Sequence, residues 1–121
     1  MIVDSCVWIE IFLDGSLASR CEEQLVEKDV LVPSLVLYEV YKKLKVKASE
    51  DLALQSIAFL GQYIACEMNR EVALLAADLS LEFNLGMADS LILAHARHLK
   101  VPLFTLDNDF SGISGVTVLR K

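Results

Sequence analysis

Apolar and polar residues change period in a regular order along this chain. Residues 1–4 form a short apolar run that reads as a strand, and Asp4 or Ser5 can cap the helix predicted over residues 6–13, which Gly15 closes. From about 17 to 28, Leu17, Cys21, Leu25 and Val26 share one helical face while Arg20, Glu23, Glu27 and Lys28 point outward. Residues 30–32 resemble a short buried strand ended by Pro33. Ser34 then caps a helix in which Leu37, Val40, Tyr41 and Leu44 recur at helical spacing through Lys47. Ser49, with Glu50 and Asp51 in the next turn, starts a further helix to about Tyr63, because acids favour the positive end of a helix dipole. A third strand is expected over 64–68. Asn69 caps a helix striped by Val72, Leu75, Ala76, Leu79 and Phe83, and Asn84 with Gly86 stops it. Asp89 opens the last long helix, and residues 103–106 and 116–119 read as the final strands. This alternation predicts a three-layer α/β/α fold around a mainly parallel, doubly wound sheet of four to five strands.

Composition narrows the classes. A chain of 121 residues, 55% of them hydrophobic, fits one domain spanning residues 1–121 with one core. Eleven basic against seventeen acidic side chains give a net charge of −6, so the overall field does not attract polyanions and any nucleic acid needs a local route. Bound cations beside a basic strip would supply one. Cys6, Cys21 and Cys66 are odd in number and form no CxxC pair, which argues against a disulfide framework and a zinc site and for reduced, mostly buried thiols. The N-terminal segment lacks a basic region and carries Asp4 and Glu10, so a cytoplasmic location without a membrane anchor is expected. The longest uncharged run, residues 52–66, falls short of the roughly 20 residues of a spanning helix and reads as a buried helix. A mean hydropathy of +0.47 is high for so small a domain and suggests apolar surface covered by another chain, a homodimer or a dedicated partner.

Four acids, Asp4, Glu39, Asp89 and Asp107, each lie in, or at an end of, a predicted strand or helix. Asp4 and Asp107 follow apolar strands, and in open parallel sheets ligands bind beyond the carboxyl ends of the strands where strand order reverses. Carboxylates gathered within a few ångströms repel unless a cation or protons neutralise them. Oxygen-only ligands suit Mg²⁺ or Mn²⁺. Each acid also has a plainer role open to it. Asp4 and Asp89 can cap helices. Asp107 and Asp109, flanking Asn108, can bond backbone amides of a turn. Glu39 can pair with Lys43 four residues on.

The segments Ile2-Val3-Asp4-Ser5, Val32-Pro33-Ser34 with Glu39 in the following helix, Asp89-Ser90-Leu91-Ile92-Leu93-Ala94, and Thr105-Leu106-Asp107-Asn108-Asp109-Phe110 together resemble a PIN-domain ribonuclease. Their order spans nearly the whole chain, and the small size is similar to that of VapC-type toxins of bacterial and archaeal toxin–antitoxin pairs. The resemblance implies a Mg²⁺- or Mn²⁺-dependent endoribonuclease in which Asp4, Glu39, Asp89 and Asp107 are the catalytic, metal-binding acids, blocked by a VapB-like protein antitoxin. Asp109, Ser5 and Thr105 are auxiliary candidates. Lys42 and Lys43, with Lys45 and Lys47, form either a track for an RNA backbone or a solvated helix face.

The remaining chemistry-bearing residues point elsewhere. His95 and His98 lack zinc-like companions and read as surface or partner contacts. Trp8, Phe12, Tyr38 and Tyr41 read as core or dimer contacts. No phosphate-binding glycine loop is present, so no nucleotide cofactor is expected. Two rivals remain: a non-catalytic PIN-like interaction module, and a different acid-site phosphohydrolase, which is weakened because Cys6 stands where a DxD motif needs its second acid.

Overall fold

The computed structural model describes residues 1–120. Twelve elements follow one another: β1 (Ile2–Val3), α1 (Ser5–Phe12), α2 (Ala18–Leu25), β2 (Leu31–Pro33), α3 (Ser34–Lys47), α4 (Glu50–Leu60), β3 (Ile64–Cys66), α5 (Arg70–Phe83), α6 (Met87–Leu99), β4 (Leu103–Thr105), a 3-10 turn (Asn108–Phe110) and β5 (Val116–Val118). The five strands form one sheet in the order β3-β2-β1-β4-β5, and every pairing is parallel. Right-handed crossovers therefore put α1–α4 on one face of the sheet and α5–α6 on the other. Within these layers α3 packs on α4, α1 on α2 and α3, and α5 on α6.

This is the expected doubly wound architecture, with five strands. The chain moves outward from β1 through β2 to β3, then returns to β4 on the other side of β1. Strand order thus reverses between β1 and β4, where a crevice opens beyond the strand ends. Ile2 pairs with both Leu31 and Leu103, and Val3 with Phe104. All five are apolar, and Ile2, Val3, Leu103 and Phe104 are buried, as strands covered on both faces require.

Several boundaries differ from expectation. Helix α2 stops at Leu25 because Glu27 takes a left-handed φ of 60°. Helix α4 ends at Leu60, and the uncharged run over 52–66 divides between α4 and β3, with Leu54, Phe59 and Ile64 exposed; it is not a buried helix. A run without charge is not necessarily a run without solvent, and β3 is an edge strand. Helix α6 begins at Met87 with Gly86 at its cap, two residues earlier than expected, so Asp89 lies in the first turn and caps nothing. The three cysteines are free, with Cys21 buried and Cys6 and Cys66 half-buried. No helix of the described residues is long and apolar enough to cross a membrane.

Candidate metal centre

One more step of the β1–β4 register beyond the Val3–Phe104 pair brings Asp4 beside Thr105, and the Asp4 amide donates to the Phe104 carbonyl at 2.9 Å. The Thr105 hydroxyl donates to Asp4 Oδ2 at 2.7 Å, while Asp4 Oδ1 accepts the Ser5 amide at 2.8 Å. Asp4 is thus the cap of α1 and a member of the crevice together. Burial holds its carboxyl above the usual carboxylate range, partly offset by these bonds, with Asp107 adding a smaller upward push. The Thr105 oxygen also accepts the Asp107 amide at 3.0 Å. One hydroxyl therefore fixes two of the acids.

Asp107 Oδ1 accepts the Asp109 amide at 2.8 Å, the turn bond that its flanking position suggested. That leaves the other oxygen free. Asp89, Asp107 and Asp109 each offer a carboxylate oxygen within 4.8 Å of the others, making them the tightest acidic group among the described residues. Asp109, an auxiliary candidate by sequence, belongs to it. The Asp89 carboxyl is pushed up to about 6, first by desolvation and then by the charges of Asp4, Asp107, Glu39 and Asp109. Asp89 thus lies within electrostatic reach of each of the other four acids.

Glu39 is half-buried, and burial followed by the charge of Asp4 raises its carboxyl, with Ser5 pulling the other way. It does not pair with Lys43: the only ion pair among the described residues joins Lys45 to Glu50 at 3.6 Å. Lys42 and Lys43 are exposed on α3, and Lys42 leans over the Tyr38 ring with its Nζ 3.3 Å from the phenolic oxygen.

Cys6 had no sequence signal tying it to these acids. Its Sγ lies 3.5 Å from Asp4 Oδ2 and 3.4 Å from Thr105 Oγ1, and accepts the Leu106 amide at 3.4 Å. Burial, then the Asp4 charge, push this thiol up to about 12, so it packs there as a neutral group. Only its position two residues after Asp4, in the first turn of α1, would have hinted at this. His95 corrects the sequence reading outright: it is 3% exposed, not a surface residue, whereas His98 is exposed beside Asn69. Trp8 is buried against Phe12, Phe59 and Tyr63, and Tyr38 is exposed.

The donor set fits a hard divalent cation. Asp89, Asp107 and Asp109 offer only oxygen, Asp4 and Glu39 lie outside this tight group, and the charges of all four other acids raise the proton affinity of Asp89, so a cation would relieve repulsion that protons otherwise relieve. Thr105→Val tests how the set is held. It would strip Asp4 Oδ2 and the Asp107 amide of their shared partner, costing about 1–3 kcal/mol, whereas Thr105→Ser would keep most of it. Chemical denaturation of both variants measures the difference.

A parallel, doubly wound sheet with an acidic crevice at its switch point defines a broad class of α/β proteins. Within it, the PIN domain sequence profile matches residues 1–116, and the chain belongs to the PIN-domain family. The fold is shared with a toxin–antitoxin complex from Klebsiella pneumoniae at 23% identity, covering 97% of this chain and 95% of that one with a TM-score of 0.84. It is shared with Mycobacterium tuberculosis VapC20, a sarcin-ricin loop cleaving toxin, at 16% identity, 97% coverage of both chains and a TM-score of 0.82. Rickettsia felis VapBC2, bound to a DNA fragment from its promoter, is similar at 16% identity, 98% and 96% coverage and a TM-score of 0.76. No curated protein sequence matches the chain.

Proposed function

We propose that the protein is a Mg²⁺- or Mn²⁺-dependent endoribonuclease, the toxin of a VapBC-type pair. The observation that carries this reading is the close group of Asp89, Asp107 and Asp109, with Asp89 pushed up to about 6 by desolvation and then by the charges of Asp4, Asp107, Glu39 and Asp109. When bound, the cation supplies charge neutralisation at the scissile phosphate and a water acidified toward its nucleophilic form. Asp89 and Asp107, with Asp4 and Asp109, would hold it. Glu39, half-buried and within reach of the Asp4 charge, would orient the attacking water and accept its proton. Thr105 and Ser5 keep Asp4 aimed. Lys42 and Lys43 offer exposed cations for flanking phosphates. The presence of every acid speaks against an interaction module that has lost its chemistry.

The chain acts in the cytoplasm in this reading, as a homodimer controlled by a VapB-like antitoxin. Leu81 and Met87, 86% and 79% exposed, support coverage by a second chain. Incubation with an RNA panel, with Mn²⁺ and then with chelator, tests the activity; RNA left intact in Mn²⁺ rejects it.

The raised Asp89 carboxyl also sets a pH dependence. A folded value above the unfolded one means that the metal-free fold loses stability as pH rises from about 4 through about 6, because the unfolded chain ionises first. Mn²⁺ should reverse this, raising the melting temperature more at about pH 7.5 than at about pH 5, since metal ligation needs the carboxylate. Equal stabilisation at both pH values would remove Asp89 from the ligand set.

A further inference from the structure

A second cavity, about 430 Å³, is lined by Ser34, Leu35, Glu67, Met68, Leu91 and His95. It is built on the two helices that carry Glu39 and Asp89. Leu35 lies one turn before Glu39 on the same face of α3, and Ser34 and Glu67 directly follow β2 and β3. The cavity therefore lies along the same carboxyl edge of the sheet as Asp4, on the β2 and β3 side.

Its chemistry is specific. The His95 Nδ1 lies 2.8 Å from the Leu91 carbonyl oxygen, which can only accept, so Nδ1 carries a proton and donates. In the neutral ring Nε2 is then an acceptor, and it is buried without any partner among the described residues. A buried polar atom left unpaired is costly, which points to a missing donor. Glu67 offers a second acceptor at the rim, and its charge disfavours a phosphate there. The Ser34 hydroxyl can donate, and Leu35, Met68 and Leu91 provide apolar walls. A flat group fits this lining when it presents two adjacent N–H donors beside one acceptor.

We propose that this cavity receives one guanine base of the RNA substrate, with His95 Nε2 and Glu67 accepting from its N1–H and exocyclic amine and Ser34 donating to its carbonyl. The proposal rests on the ribonuclease reading and adds base selectivity to it. Unstacked bases of single-stranded RNA are readily read on these edges.

The test has two arms. In the first, the metal-free protein is titrated with guanosine, inosine and uridine while the His95 ring resonances are followed; with only two histidines in the chain, His95→Gln assigns them. Guanosine should shift them, inosine, lacking the exocyclic amine, should bind about tenfold more weakly, and uridine should leave them unmoved. Resonances that ignore guanosine, or respond alike to all three, overturn the proposal. In the second arm, matched RNAs carrying guanosine or inosine beside the cleaved bond are digested. The unaltered protein should favour guanosine about tenfold and Glu67→Ala, which removes the acceptor for the exocyclic amine, should cut both at one rate. Cleavage by the unaltered protein without that preference also overturns the proposal. RNA left intact while guanosine still shifts His95 rejects the nuclease reading and leaves the guanine pocket standing.

Discussion

Asp89→Asn is expected to reduce Mn²⁺-dependent RNA cleavage by about a thousandfold or more while leaving the protein folded, since loss of a metal ligand removes both the charge and the orientation that hydrolysis needs. Asp4→Asn should do the same. The two differ in stability. Asp89 is half-buried among four other acids and caps nothing, so its replacement relieves repulsion and should raise the metal-free melting temperature. Asp4 caps α1 and accepts from Thr105, so Asp4→Asn keeps a carbonyl oxygen for only one of those bonds and gains no such increase. Cleavage assays with Mn²⁺, paired with thermal melts in chelator, read both effects. Full activity in both variants would reject the acidic crevice as the reaction centre.

Trp8→Ala should be the most damaging single change to the fold, costing about 3–5 kcal/mol. The indole is 1% exposed and packs against Phe12, Phe59 and Tyr63 with ring centroids 6.0, 6.4 and 5.6 Å away. Truncation would empty the junction between α1 and α4. Trp8→Phe should cost far less, under about 1.5 kcal/mol, because the indole N–H that it removes has no partner among the described residues and contributes nothing by hydrogen bonding. Urea denaturation of the two variants gives the comparison, and equal losses would show that the aromatic contacts matter less than indole size.

Hydrophobic periodicity carried most of the architecture. Alternating helical and apolar segments specify a doubly wound sheet because short connections and right-handed crossovers leave few other arrangements. The strand ends located Asp4 and Asp107, since a residue that follows a buried parallel strand emerges into the crevice. Asp89 was legible as an acid at a helix start but misplaced by two residues, because Gly86 supplies the cap through backbone freedom that no polar side chain announces. Asp109 looked like a turn residue, and it is one, yet the same turn swings its carboxylate toward Asp89. His95 was misread because an imidazole among apolar residues is buried or exposed according to contacts made by distant segments. Cys6 was invisible for the same reason: its neighbours at 3.4 Å include Thr105 and Leu106, some hundred positions away.

The bond between Thr105 and Asp4 closes a loop of 101 residues, and it completes the crevice by joining the first strand to the fourth. Contacts so remote in sequence form late in folding, after the nearer helices and strands have docked. A chain cut before residue 105 would carry Asp4, Glu39 and Asp89 without the threonine and the two aspartates that organise them. Such a fragment would leave the acidic crevice unassembled.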